Sequence, residues 1–107
     1  MANSSSPEIS ASDLKSHLDK GFAIHLLDVR ERIEFHTFNI GGTNIPLAKL
    51  SQAPDGLQFE KHARIVVVCQ HGIRSETARR LLVSAGFKNV QNLKGGILAY
   101  TRIINTI

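Results

Sequence analysis

Short apolar runs alternate with amphipathic segments along the chain. The run AIHLLDV (23–29) is mostly apolar and RIVVVC (64–69) is rich in β-branched valine, so both predict buried strands. After Ser75 the apolar residues follow the three- and four-residue spacing of one helix face, at Ala78, Leu81, Leu82 and Ala85. We therefore predict a helix that Gly86 ends, and strands that alternate with helices predict an α/β domain with a parallel sheet.

The rest of the chain predicts shorter elements. Ser10 and Asp13 have the spacing of a capping box, with Asp in place of the usual Glu, which indicates a short helix that Gly21 closes. Pro46 disfavours helical backbone at the residue before it, so TNIPL (43–47) predicts an extended stretch. The other predicted elements are a short helix or turn at 30–38, one or two helical turns at 47–52, a loop at 53–56, a short strand at 88–93 and a final helix at 95–104.

The size and composition of the chain, 107 residues with 42% hydrophobic and 21% charged, are typical of one soluble domain. Residues 1–8 are polar and predicted to be disordered, and the single domain is predicted to span 9–107. The longest apolar runs are only a few residues, and the N-terminus lacks the basic and apolar regions of a signal peptide. We therefore expect no association with a membrane.

The charge pattern and the cysteine content narrow the function. The formal net charge is +4, but the basic residues are spread out and no aromatic residues interleave with them, so nucleic-acid binding is not predicted. A solvated basic surface that helps small anions to arrive is expected instead. The one cysteine excludes an internal disulfide and a CxxC metal site, and a free thiol is typical of the reducing cytoplasm. His25, His36 and His62 lack metal-ligand spacing with that cysteine, so neither a metal site nor a cofactor is predicted.

The cysteine lies in CQHGIRS (69–75), between the strongest predicted strand and the clearest predicted helix. Ligands of parallel α/β sheets bind beyond the carboxyl ends of the strands, where Cys69 is expected. Gly72 permits a tight or left-handed turn, and inward backbone N–H groups with the helix N-terminus form a cradle for an anion. This field lowers the pKa of the thiol, so that a reactive thiolate forms near neutral pH. A cysteine at a strand end is more often an inert buried side chain, but Gly72, Arg74 and the helix start favour the reactive interpretation.

Several other polar and glycine residues of the chain have two interpretations each. His71 either contacts a substrate or faces the solvent. Asp28 and Arg30 lie at the end of the first long strand, and they either support the loop or form a structural ion pair or helix cap. Gly95 and Gly96 are predicted to shape the start of the last helix and not to bind phosphate, because no phosphate-loop pattern surrounds them.

Four motifs, in this order along the chain, resemble the rhodanese domain. The segment LLDVRERIEF resembles the family's strand that ends in Asp-Val-Arg, and IGGTNIPL resembles its glycine-plus-NIP segment. The loop CQHGIRS resembles its active-site loop, C-x-x-G-x-R-S, and GFKNVQNLKGGILAY resembles its closing segment. The chain departs from the family where FNIGGT replaces GHIPGA, and at Tyr100, where the family has Trp. The resemblance implies a three-layer α/β domain with a parallel sheet of about five short strands flanked by helices.

The resemblance also implies a sulfurtransferase. In that family the loop cysteine takes a sulfane sulfur from a donor such as thiosulfate, becomes a persulfide and passes the sulfur to cyanide or a thiol. By this analogy Cys69 is the nucleophile, the amides of 70–74 hold the persulfide, and the substrate-binding residues are Gln70, His71, Gly72, Ile73, Arg74 and Ser75. Arg74 is expected to bind the oxyanion of the donor; the alternative is that Arg74 braces the loop against a carboxylate such as Asp28 or Glu76.

Three other functions fit parts of the pattern. Related phosphatases of the same fold place five residues between Cys and Arg, whereas four separate Cys69 from Arg74, so phosphatase activity is not expected. Interaction modules without chemistry usually lose the cysteine, which this chain keeps. Two functions therefore remain open: a sulfur carrier that moves persulfide between proteins, and an enzyme that acts on a small molecule. The expected partners are therefore a small sulfur-containing anion and a protein sulfur donor or acceptor.

Overall fold

A computed structural model of the chain describes residues 6–104. The strands are β1 (Glu8–Ile9), β2 (His25–Asp28), β3 (Thr43–Asn44), β4 (Ile65–Val68) and β5 (Val90–Leu93). The helices are α1 (Ala11–Asp19), α2 (Arg32–Thr37), α3 (Leu47–Gln52), α4 (Ile73–Ser84) and α5 (Gly96–Ile104), with a 3-10 turn over Pro54–Gly56. All strand pairs are parallel, and the order across the sheet is β1-β5-β4-β2-β3. None of the helices in this part of the chain is long and apolar enough to span a membrane.

The sheet lies between two layers of helices, which confirms the predicted α/β fold. Every residue of β4 is buried, as is typical of a central parallel strand covered on both faces. Alternate residues of β4 enter separate cores. Val67 packs in one core with Leu82 of α4, and Val66 packs in the other with Leu14 of α1 and Ile97 of α5. The carboxyl end of β4 is thereby fixed from both sides, and the loop that follows begins from a rigid support.

Most predicted elements are confirmed, with small differences at their ends. Ser10 caps α1 by accepting a hydrogen bond from the Asp13 amide at 3.0 Å. The helix predicted from Ser75 begins two residues earlier, at Ile73, because Gly72 has a φ of 98° and turns the chain directly into α4. The loop predicted at 53–56 contains the 3-10 turn.

The N-terminal segment differs from its prediction. Residues 1–5 of the predicted disordered segment lie outside the described residues, but Pro7 and Glu8 belong to the edge of the sheet. The carbonyl oxygen of Pro7 accepts a hydrogen bond from the Asn92 amide at 2.8 Å, and Glu8 pairs with Asn92 in the parallel ladder between β1 and β5. A strand of two residues has too little sequence pattern to be recognised, and this one forms because β5 offers it a partner. The domain boundaries of 9–107 stay a prediction.

Candidate active site

The loop that contains Cys69 joins the carboxyl end of β4 to the N-terminus of α4, where the sequence predicted it. Cys69 is 1% exposed, so its thiol lies beneath the loop. Gly72 allows the loop to close over the sulfur, because a side chain there would be strained at the positive φ and would meet the Leu93 carbonyl oxygen at 3.4 Å. The structure therefore presents the thiol at the base of a short loop and beside a helix N-terminus.

Several hydrogen-bond donors surround the Cys69 sulfur. Its Sγ accepts from the Gly72 amide at 3.1 Å and from the Ser75 amide at 3.3 Å, and it lies 3.2 Å from the Ser75 Oγ. Burial raises the pKa of the thiol. Hydrogen bonds from the Ser75 hydroxyl and from the amides of Ser75, Gly72 and His71 lower it by more, so the pKa of Cys69 lies below its ordinary value. The direction agrees with the prediction, and the site favours a thiolate, the nucleophilic form of cysteine.

The carbonyl groups of the loop face the opposite way, towards α5. Ile97 N donates to the Cys69 carbonyl oxygen at 2.9 Å, and Leu98 N donates to the Gln70 carbonyl oxygen at 3.2 Å. A Cβ at Gly96 would overlap these carbonyls, at 2.5 Å from the Cys69 oxygen. Gly96 therefore shapes the start of the last helix, as predicted, and also lets α5 hold the loop with its amides turned to the sulfur.

Asn92 of β5 is a functional candidate that the sequence analysis missed. Its side chain is buried, with 3% of the residue exposed. Its Nδ2 donates to the Gly72 carbonyl oxygen at 3.0 Å, and its Oδ1 accepts a short hydrogen bond from the Ser75 hydroxyl. The sequence shows only that two polar residues, Gln91 and Asn92, lie between Val90 and Leu93 in a predicted short strand, and this pattern does not indicate what either residue contacts.

Arg74 forms a two-point ion pair with Glu34 of α2. The Nη1–Oε1 distance is 2.7 Å and the Nη2–Oε2 distance is 3.1 Å. The hydrogen bond from Arg74 lowers the pKa of Glu34 to about 2. The carboxylates predicted as alternative braces for Arg74 were the wrong ones, since Asp28 binds Arg30 and Glu76 binds two other arginines of α4. The pair joins α2, which buries no residue of its own, to the first turn of α4.

Asp28 and Arg30 form a buried ion pair at the end of β2. Arg30 Nε and Nη2 donate to the carboxylate of Asp28 at 2.9–3.2 Å, and the two side chains are 4% and 0% exposed for Arg30 and Asp28. Arg30 Nη2 also donates to the Phe38 carbonyl oxygen at 2.6 Å. This arrangement is the structural ion pair that the sequence analysis offered as one interpretation. Within residues 6–104, no group of three or more histidine, cysteine, aspartate or glutamate side chains could hold a metal ion.

The other side chains of the loop surround the sulfur at different depths. Ser75 is fully buried, whereas His71 and Ile73 are exposed. Gln70 lines a groove of about 470 Å³ together with Glu34. A larger groove, of about 580 Å³, lies between α2 and α3 and contains no residue of the loop, so the volume of a groove does not identify the candidate site. Contact of residues 70–75 with a substrate stays a prediction.

Comparison with known proteins gives consistent matches to one family. The family model of the rhodanese-like domain matches residues 10–103. The putative sulfur carrier protein YrkF of Bacillus subtilis (strain 168) is 35% identical over 99 residues, which are 92% of this chain and 52% of YrkF. The tRNA uridine(34) hydroxylase of Nitrobacter winogradskyi is 45% identical over 80 residues, which are 70% of this chain and 31% of that protein. The solved structure of the human single-domain sulfurtransferase TSTD1 has a TM-score of 0.77 at 28% identity, covering 96% of this chain and 99% of TSTD1. The chain thus spans about half the length of YrkF and about a third of the hydroxylase.

Proposed function

The chain belongs to the family of rhodanese-like domains, and we propose that it is a sulfurtransferase that carries a sulfane sulfur as a persulfide on Cys69. The observation that carries this proposal is the set of donors around the Cys69 sulfur, where two amides and the Ser75 hydroxyl lie at 3.1–3.3 Å. Such a set favours the thiolate, which is the form that attacks sulfur. The names of two relatives, a putative sulfur carrier and a single-domain sulfurtransferase, support the same chemistry.

The proposed reaction has two steps and returns the cysteine to its starting state. In the first step the Cys69 thiolate attacks the sulfane sulfur of a donor such as thiosulfate. The Sγ–S bond forms, the bond between the two sulfur atoms of thiosulfate breaks, and sulfite leaves with the bonding electron pair. In the second step cyanide or a thiolate attacks the terminal sulfur, and the Cys69 thiolate leaves. No oxidant, reductant or cofactor is required, because each step exchanges one sulfur bond for another.

The loop residues are proposed to bind the reacting groups. After the first step the negative charge lies on the terminal sulfur, and inward amides at a helix N-terminus suit that charge. We assign substrate binding to residues 70–75 on this basis. Arg74 is proposed to attract the oxyanion of an anionic donor, in competition with Glu34, whose carboxylate already binds both amino groups of Arg74. The Asp28–Arg30 pair is proposed to support the loop indirectly, by fixing the end of the neighbouring strand.

Exposed apolar side chains beside the loop support a protein as the sulfur donor or acceptor. Ile73 is 78% exposed and precedes Arg74 in the sequence, and Ile33 is 76% exposed and precedes Glu34. The ion pair between Arg74 and Glu34 joins these two parts of the chain. Phe38, 45% exposed, lines the adjacent groove. A small anion gains nothing from these side chains, whereas a docked protein would bury them. This observation favours the alternative in which the chain acts as a sulfur carrier between proteins. Because the thiol must stay reduced, we propose a reducing compartment such as the cytoplasm.

Intact-mass spectrometry tests the persulfide directly. Incubation with thiosulfate is expected to add one sulfur, about 32 Da, and cyanide is expected to remove it as thiocyanate. The chain has one cysteine, so the added sulfur is expected on Cys69. Cys69→Ser is the matched control, which should fold and gain no sulfur. If thiosulfate and persulfide-bearing proteins all leave the wild type without the adduct, the proposed mechanism is wrong.

The same loaded protein tests the proposed docking surface. We expect Ile33→Ser with Ile73→Ser to slow sulfur loss to reduced thioredoxin, used as the protein thiol, and to leave sulfur loss to cyanide unchanged. Val83→Ser is the control, since Val83 is 48% exposed and lines a different surface, away from the loop. Equal rates for all variants with both acceptors would exclude these isoleucines from docking.

A further inference from the structure

The Ser75 hydroxyl lies between two atoms that can both accept its single hydrogen. Its Oγ is 3.2 Å from the Cys69 sulfur on one side and makes a short hydrogen bond with Asn92 Oδ1 on the other. The three residues are buried, at 0% exposed for Ser75, 1% for Cys69 and 3% for Asn92. Buried polar groups must find partners among one another, so the position of this one hydrogen matters.

The Gly72 carbonyl fixes the orientation of the Asn92 side chain. Asn92 Nδ2 donates to that carbonyl oxygen at 3.0 Å, and turning the amide over would place two acceptor oxygens against each other. Asn92 Oδ1 therefore faces Ser75. Two oxygens at hydrogen-bond distance need a hydrogen between them, and Oδ1 has none, so the Ser75 hydrogen lies on this side. Ser75 Oγ then presents a lone pair to the sulfur, to which a neutral Cys69 thiol donates.

A thiolate reverses this requirement, because it can only accept. Facing the Ser75 lone pair would destabilise it, whereas turning the hydroxyl towards Sγ stabilises it and leaves Asn92 Oδ1 without its donor. We infer that Asn92 holds the Ser75 hydroxyl hydrogen while the Cys69 sulfur is neutral, and that the hydroxyl turns to the sulfur when the thiolate forms. The thiol proton leaves to solvent in this step, and the hydroxyl hydrogen stays bonded to Ser75 Oγ throughout.

Asn92 is thus a positioning residue that acts through Ser75. Its hydrogen bond with the Ser75 hydroxyl partly opposes ionisation of the thiol. Once a persulfide forms, the sulfur bonded to Cβ is neutral, and the hydroxyl turns to donate to Asn92 again. The inference deepens the proposed function, because it concerns the proposed nucleophile, but it can be tested on the thiol without any sulfur transfer. Arg74, which is paired with Glu34, interacts electrostatically with Cys69. The other ionisable groups on the elements around the sulfur are the Asp28–Arg30 pair at the end of the adjacent strand and His71 in the loop. The test leaves all of them in place.

The test is the pH dependence of Cys69 alkylation by iodoacetamide in a double-mutant cycle. The proteins are the wild type, Asn92→Leu, Ser75→Ala and the double variant. Leu has the same branched arrangement of four side-chain heavy atoms as Asn and cannot accept a hydrogen bond. We expect Asn92→Leu to lower the midpoint of the alkylation profile by about one pH unit, the equivalent of one hydrogen bond, when Ser75 is present. In the Ser75→Ala background the same substitution should leave the midpoint unchanged. Gln91→Leu is the control, because Gln91 is a buried amide of the same strand that bonds to Ser6 and Glu8.

Each outcome of this cycle decides the inference. A shift of equal size in both backgrounds would show that Asn92 acts by shaping the loop, and an upward shift or none would overturn the inference outright. If Asn92→Leu does not fold, the infrared S–H stretch replaces it, because one cysteine gives one thiol band. Below the thiol pKa the wild-type band should lie at lower frequency than that of Ser75→Ala, since the thiol donates to Ser75 Oγ. Bands at the same frequency would overturn the inference.

Discussion

Replacing Glu34 with Gln removes the charge that holds Arg74 and changes little else. The amide oxygen of Gln can still accept the hydrogen bond that Glu34 receives from the Glu31 amide at 2.9 Å, so the capping of α2 is retained. The substitution removes the two-point ion pair with Arg74, at 2.7 and 3.1 Å, that connects α2 to α4. Glu34→Gln therefore isolates the contribution of this charge to stability.

The lowered pKa of Glu34 gives an upper bound for that contribution. A pKa lowered from 4.5 to about 2 corresponds to about 3 kcal/mol at neutral pH for a pair shielded from water. The side chains of Arg74 and Glu34 are 38% and 33% exposed, so solvent screens their interaction. We expect Glu34→Gln to lower the free energy of unfolding by about 1 kcal/mol at pH 7.

The pH dependence of this loss has a definite sign. Because the pKa of Glu34 is lower in the folded protein than in the unfolded chain, its carboxylate stabilises the fold fully above the unfolded pKa. The stabilisation is lost as the pH falls from the ordinary value of 4.5 through the folded value of about 2. The difference between wild type and variant should therefore close across this range.

Urea unfolding followed by circular dichroism at several pH values measures the difference. Glu76→Gln is the matched control, since the pKa of Glu76 is also lowered to about 2, here by Arg79 and Arg80 of the same helix and not by Arg74. Both variants should lose stability with the same pH profile. Only Glu34→Gln should lower the KM for thiosulfate, because it frees Arg74 for the anionic donor. No loss of stability at pH 7, or the same loss at pH 7 and pH 2, would refute the reasoning.

Two further substitutions test the packing around the loop. Gly96→Ala places a Cβ 2.5 Å from the Cys69 carbonyl oxygen, so we expect a clear loss of Cys69 alkylation and of stability in chemical denaturation. Gly21→Ala, at a φ of 79° with nothing within 4 Å, should cost only the strain of about 1–2 kcal/mol, and equal costs would argue against the close contact at Gly96. Asp28→Ala leaves the buried Arg30 guanidinium without its partner, and we expect a loss of about 3–5 kcal/mol. Asp19→Ala, which breaks the exposed pair with Lys15, should change the stability far less; a similarly small loss at Asp28 would mean that Arg30 does not depend on it.

The parts of the fold with a strong local pattern could be predicted from the sequence. The buried run of β4 and the helical spacing of α4 extend over enough residues to show their period, and Gly72 marks the junction between them. The strand β1 could not be predicted in this way. Glu8 pairs with Asn92 far along the chain, and two residues carry no period of their own.

The residues that bond to the loop could not be predicted from the sequence for a different reason. Glu34 and Arg74 are 40 residues apart, and Ser75 and Asn92 are 17 residues apart. Asp28 and Glu76 were the carboxylates expected from the sequence as partners of Arg74, but in the fold Arg30 and Arg79 bind them. Which carboxylate meets which guanidinium depends on how α2 lies against α4, and no residue spacing specifies that packing.

It follows that the arrangement of the loop donors around the thiol depends on residues outside the loop. The amides of CQHGIRS point at the sulfur because α5 binds the carbonyls of Cys69 and Gln70, and α5 approaches closely enough only because residue 96 is Gly. The Ser75 Oγ lies 3.2 Å from the sulfur and also within hydrogen-bond distance of Asn92, a residue of another strand that competes for the hydroxyl hydrogen. A chain with the same seven loop residues but a larger side chain at position 96 would lose the inward amides, and its cysteine would become the inert buried thiol that is the commoner state of a free cysteine. A search for reactive members of this fold should therefore require the glycine and the asparagine together with the loop.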